Sequence, residues 1–200
     1  ELAAASAMVT DAESALGLSL DETPDLVDKM AAASSKSNTS VAQLGDAVLA
    51  IGGTAKNLAG GTTELSTALG ILADNGIKGA EGGTHLRNII LALGSPTDTA
   101  AKALTNLGVS VYDAEGKMRP LNETFGDLNA ALSTMSQEDQ LAAIGDIFNT
   151  TDIASVNALL GTSAERWDEL GLAIDGAWVN MGSLSTSLSD VGLDLTAMQS

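Results

Sequence analysis

The sequence predicts a mainly α fold: a compact multi-helix domain with glycine-rich connections and one small β-hairpin near residues 109–119. Three observations carry this reading. The chain of 200 residues is 44% hydrophobic, too apolar to remain disordered and long enough to bury a core. Its apolar residues are mostly Ala and Leu, with only two Phe, one Tyr and two Trp. Such a set suits close helix packing and fits strands poorly. Polar caps and glycines interrupt the apolar runs at short intervals, as a succession of short helices requires.

Element by element, Glu1–Met8 already reads as helix interior, and a first helix ends near Ala15-Leu16-Gly17. The next begins around Ser19–Pro24, where a first-turn proline sacrifices no hydrogen bond. Ser34–Ser40 reads as a loop. Ser40-Val41-Ala42-Gln43 then reads as a capping box opening a helix with Leu44, Val48 and Ile51 on one face. Gly52-Gly53 interrupts or bends it, and Gly60-Gly61 closes the segment. Thr62 or Thr63 caps a helix carrying Leu65, Leu69 and Leu72. A glycine-rich connection over Gly76–Gly83 leads to a stripe of Leu86, Ile89, Ile90 and Leu93, closed by Gly94-Ser95-Pro96.

Val109-Ser110-Val111-Tyr112 alternates and is β-branched, and Asp113–Gly116 reads as a turn into Lys117–Pro120. Together they predict the hairpin, which alone would be marginal and must lie on helices. Helices follow at Leu121–Met135, Gln137–Phe148 and Ile153–Leu160. Thr162-Ser163-Ala164-Glu165 is a second capping box, opening a helix through Trp167, Leu170 and Ile174. From Met181 the chain is serine-rich, with Leu184, Leu188 and Val191 at helical spacing. The ends carry no opening or closing signal, which predicts a piece of a longer protein.

The formal net charge is −17. Residues 1–100 hold 5 basic and 12 acidic groups, net −7; residues 101–200 hold 4 and 14, net −10. No basic half is hidden in the average, so neither phosphate backbones nor anionic membranes are favoured partners of this segment. A protein with basic patches would instead be steered towards it. The absence of Cys removes disulfides, thiol catalysis and thiolate metal sites. No apolar run reaches the roughly 18 residues of a membrane span.

Each candidate for chemistry has a plainer reading. His85, the sole histidine, follows Thr84 at a helix start, and no G-x-S-x-G elbow presents it with a nucleophile. It reads as a helix-start or packing residue. Gly76–Gly83 departs from a phosphate loop because Lys78 is followed by Gly79 rather than Ser or Thr, and because a helix rather than a strand precedes it. It reads as a connection that lets two helices pack closely. Gly116-Lys117-Met118 fails the same test. The pairs Asp21-Glu22, Glu138-Asp139 and Asp168-Glu169 are adjacent and so point apart on a helix, unlike the facing carboxylates of a glycosidase. The first two sit near helix starts, where negative charge is favourable. Asp113–Gly116 lacks the roughly twelve-residue spacing of a calcium loop. Trp167 and Trp178, eleven residues apart, share nearly the same helical face and read as core, or as a contact with another subunit or with a part of the protein outside this sequence. No catalytic, cofactor-binding or metal site is assigned, and no cofactor.

One ordered block stands apart. It runs Thr63–Ala73, then Asp74–Thr84, then His85–Leu93 and Pro96; after a gap come Leu107–Asp113 and Gly116–Leu121, and later Ile147-Phe148-Asn149 and Ala158-Leu159-Leu160. In order and distance these pieces resemble the core region of phage tail tape measure proteins, also called phage minor tail proteins. The resemblance spans roughly residues 10 to 180. It departs at Gly82-Gly83-Thr84, where the family more often has Ala-Gly-Thr, and at Asn149, where Gly is common. It implies a structural protein of a virion or prophage, long and mostly helical, that sets tail length. It also implies a place in the virion tail after assembly in the host cytoplasm, with other tail proteins or copies of itself as partners. On this reading residues 1–60 are N-terminal helices continuing from upstream sequence. Residues 61–180 are the tape-measure-like core with its hairpin, and residues 181–200 a C-terminal helix continuing onward. The alternative is an acidic helical interaction module of prophage origin acting at the cell surface or outside the cell.

Overall fold

Local capping chemistry sets where most helices begin. The computed structural model describes residues 10–19 and 21–176. A short helix α1 covers 10–16 and stops at Gly17, whose φ of 63° suits glycine. Helix α2 spans Thr23–Lys36 with Pro24 in its first turn. Helix α3, Val41–Ile51, opens on the predicted capping box: Gln43 N donates to Ser40 Oγ and Ser40 N to Gln43 Oε1, both at 3.2 Å. At Gly52 the chain tightens into a 3-10 turn, Gly52–Asn57. Then come α4, Gly61–Asp74; α5, Gly79–Gly94; and α6, Asp98–Asn106. After an irregular segment, α7 spans Leu121–Leu132 and α8 Gln137–Ile147. A 3-10 turn at Thr150–Asp152 leads into α9, Ile153–Gly161, and a helix over 164–176 follows as α10.

Several boundaries differ from the sequence reading. Ser34 and Ser35 belong to α2, because their hydroxyls donate back to Ala31 O and Ala32 O and spare the helix any competing turn. Neither Thr62 nor Thr63 caps α4, which has no side-chain cap. The predicted capping box at Thr162–Glu165 gives way to a simple cap one residue later: Ser163 Oγ accepts from Arg166 N, while Thr162 donates back to Ala158 O. Helix α6 was not foreseen. Thr97 caps it by accepting from Ala100 N, and only Ala100, Ala103 and Leu104 of its nine residues are buried.

The predicted hairpin at 109–119 is absent: there is no β-strand among the described residues, only an isolated bridge between Tyr112 and Met118. Two main-chain bonds form, Arg119 N to Val111 O and Asp113 N to Lys117 O, and the ladder stops there for local reasons. Ser110 O is taken by the Arg119 guanidinium, and Tyr112 O by the Ser110 hydroxyl. Pro120 has no N–H to continue the ladder and opens α7 instead. At the tip, Asp113 Oδ1 accepts from Glu115 N and Lys117 N, which curls the chain rather than extending it. The fold is therefore all-helical. Val109, Val111 and Met118 still bury their side chains against the helices, which is what their β-like pattern encoded.

A single cluster of buried apolar residues runs from Ala12 to Ile174. Its centre is α4, which packs against α2, α3, α5 and α9 and is buried at every position from Glu64 to Ala73. The sequence stripe of Leu65, Leu69 and Leu72 therefore understates that helix. Trp167 lies in the core. The predicted partner Trp178, the helix from Met181 and the helix reading of residues 1–8 lie outside the described residues.

Candidate functional site

The glycine-rich block at 76–83 is where the sequence argument for close packing becomes visible. Gly79 to Gly83 form the first turn of α5 rather than a loop. A Cβ on Gly83 would overlap the Ala47 carbonyl oxygen and stand 2.7 Å from Ala47 C and Cα. Helix α5 thus rests backbone to backbone on α3, an approach open only to glycine. A Cβ on Gly82 would meet Ile77 O at 3.0 Å, which is tight without being forbidden.

His85 follows one turn later. Its Nδ1 lies 2.5 Å from Asp152 Oδ1, and Asn88 Nδ2 donates to the same oxygen at 3.2 Å. In the first contact Nδ1 donates and the carboxylate accepts. Asp152 is 2% exposed. Burial of a carboxylate is tolerable only with such partners, so the trio ties α5 to the start of α9. On the other side of the ring, Nε2 faces Glu81 Oε1 at 3.9 Å. His85 hydrogen bonds to no hydroxyl among the described residues, so the pair lacks the nucleophile that an acyl-transfer site requires. Sequence reasoning missed Asp152. Thr150-Thr151-Asp152 before an apolar helix reads as a helix start, with nothing to indicate a partner 67 positions away.

A second buried carboxylate joins distant elements. Glu64 Oε1 accepts from Leu121 N at 2.5 Å, and its Oε2 from Gly60 N at 2.7 Å. It thereby satisfies an orphan donor at the start of α7 and another just before α4. Burial raises the Glu64 carboxyl above its ordinary value, the two backbone hydrogen bonds partly opposing the effect and the nearby Glu123 adding to it.

Around Glu64 lies a groove of about 390 Å³ between α4, the start of α7 and α10. Pro120, Trp167 and Leu172 supply its apolar surface, and Glu64, Asp168 and Asp175 its carboxylates. Asp168, one of the predicted acidic pair, lines the groove, whereas Glu169 lies 3.6 Å from Arg166 Nη1. Arg166 also reaches Asp74 at 2.9 Å and Lys36 O at 3.0 Å, holding α10 to the ends of α2 and α4. The other pairs act at helix starts. Glu22 accepts from Ser19 N and Oγ, which lowers its carboxyl below the ordinary value, and Asp139 accepts from the Ser136 hydroxyl. Among the described residues no three His, Cys, Asp or Glu are grouped to hold a metal ion. No helix of the described residues is long and apolar enough to cross a membrane.

Against known proteins, residues 1–149 match the model of the family described as phage-related minor tail protein. The tape measure protein of Pneumococcus phage Dp-1 is 29% identical over 180 residues, covering 88% of this chain and 16% of that protein. The probable tape measure protein of Escherichia phage P2 is 27% identical over 199 residues, covering 97% of this chain and 24% of that protein. The chain thus spans a quarter or less of the length of these relatives. No solved structure matches. The family match covers most of the chain, and the chain therefore belongs to the phage-related minor tail protein family, a structural, non-catalytic component of phage tails.

Proposed function

We propose that this chain is a folded segment of a tape measure protein that acts in tail assembly and length determination, within the virion tail after assembly in the host cytoplasm. The observation that carries the reading is the extended similarity to two proteins named as tape measures, which runs through nearly the whole chain. The architecture supports a mechanical role. The described residues form one helical core, held at its junctions by Gly83, by the His85–Asp152–Asn88 trio and by the Glu64 cap. Such a unit transmits load through packed backbone and side chains. Its contribution is that of a folded domain rather than of a single ruler helix. Its partners are other tail proteins or copies of itself.

Deletion of the segment from the phage tests this. Missing tails or tails of altered length in electron micrographs are the expected result. Normal tails of unchanged length would refute it.

A further inference from the structure

The groove beside Glu64 combines two features that the packing of this chain leaves unanswered. Leu172 on its rim is 72% exposed, against 5% for Trp167 beside it. Together with Pro120 and Trp167 it gives the groove a continuous apolar surface, the kind of concave face that partners use. The carboxylates around it have no cationic partner among the described residues, although Glu64 accepts from two backbone N–H groups. None of Glu64, Asp168 and Asp175 takes part in an ion pair among the described residues, and the only hydrogen bond to Asp175 among them comes from the Thr63 hydroxyl at 3.2 Å. Among the described residues no Lys or Arg lines the groove. Gly171 lies in the α10 wall, where a Cβ would make only an ordinary contact, 3.7 Å from Thr67 Oγ1.

Charge selects among the possible occupants. Residues 177–200 contain Asp190 and Asp194 and no Lys or Arg, and residues 1–9 contain Glu1 and no Lys or Arg. Neither of these two segments can neutralise this rim. A second copy, itself at net −17, meets the same repulsion. A basic segment of a different protein meets attraction on the rim and an apolar surface within, the combination that an amphipathic helix reads.

We propose that the groove between α4, α7 and α10 is a docking site for a basic amphipathic helix of another protein. That helix seats an apolar side chain against Trp167 and Leu172 and places Lys or Arg on Asp168 and Asp175. This rests on the tail-structure reading and deepens it by assigning a face and a partner chemistry.

The absence of native Cys allows a direct test on the full chain. Leu172→Cys places one thiol on the groove rim, and Leu141→Cys places one on α8, also exposed and also among carboxylates. The probe is a synthetic amphipathic helix of leucine and lysine, with a leucine–glutamate counterpart as control. Without probe, the rim thiol is expected to react with a maleimide as fast as the α8 thiol, at a rate independent of protein concentration. Saturating lysine probe is expected to slow labelling of the rim thiol by about tenfold, as roughly 90% occupancy requires, and to leave the α8 thiol unchanged. The glutamate probe protects neither. Adding Asp168→Asn and Asp175→Asn is expected to weaken the lysine probe by about threefold to tenfold, with unchanged circular dichroism.

Slow labelling of the rim thiol without probe would overturn the proposal in favour of this chain's own ends, or of a second copy if the slowing grows with concentration. Equal protection of the two thiols, or none at the rim, would also overturn it. Those failures leave the tail assignment standing, since it answers separately to the deletion phenotype.

Discussion

Replacing Gly83 by alanine adds one methyl group where two helix backbones touch. In an open helix the change is favourable by about 1 kcal/mol, because alanine loses less chain entropy than glycine. Here the new Cβ overlaps the Ala47 carbonyl and lies 2.7 Å from Ala47 C and Cα. Backbone stands on both sides, so no rotamer change relieves the contact, and α3 must move away from α5. That motion loosens the packing of Leu44, Val48, Ile51, Leu86 and Ile90, each no more than 2% exposed. Forced backbone shifts in a core cost about 1–3 kcal/mol and sometimes more. With five buried side chains loosened, the gross cost lies near the upper end or beyond. After the helix-propensity gain, the net loss is about 2–4 kcal/mol. For a chain of this size it lowers the melting temperature by about 5–15 °C. Gly126→Ala and Gly145→Ala are matched controls, since nothing lies within 4 Å of a Cβ at either site and both are helical. They are expected to stabilise by up to about 1 kcal/mol. Urea unfolding followed by far-ultraviolet circular dichroism measures all three. A Gly83→Ala protein as stable as Gly126→Ala would refute the close-approach argument.

Three further outcomes are expected. Asp152→Ala and His85→Leu each remove one partner of the contact between His85 and the buried Asp152 and are expected to cost about 2–4 kcal/mol in urea unfolding, mainly through the partner left behind. For Glu64, burial raises the folded-state carboxyl, so below neutrality the folded chain binds its proton before the unfolded chain does. The stability contribution is therefore present below the ordinary value of 4.5 and lost as pH rises through the raised folded value. The stability of the native chain relative to Glu64→Gln is expected to grow as pH falls through that window, and a pH-independent difference would contradict it. Arg166→Met removes a half-exposed ion-pair network and is expected to cost no more than about 1 kcal/mol, shrinking further in high salt.

Much of the helical architecture is readable in the sequence. The Ser40–Gln43 box, Pro24 in a first turn and the stops at Gly17 and Gly94 are local signals, and each acts within one helical turn. The hairpin misleads because its alternation is genuine but serves burial of Val109, Val111 and Met118 against helices rather than pairing. Helix α6 escapes notice because three small or medium apolar residues in nine make a faint stripe. Of the groove and its surroundings, the sequence draws attention to Asp168 and Trp167 singly. It offers no sign that Glu64 reaches Leu121, 57 positions on, or that Asp152 meets His85.

The sequence by itself determined the helical class, most helix starts, the acidic surface and the family, because capping, periodicity, charge and an ordered residue block are all properties of neighbours along the chain. Only the tertiary structure decided that α4 is buried on all sides, that Gly83 rather than Gly82 is indispensable, and which carboxylates are sequestered and which remain exposed around Leu172. Those facts depend on residues tens of positions apart meeting in space, where burial changes what a carboxylate or a single methyl group costs.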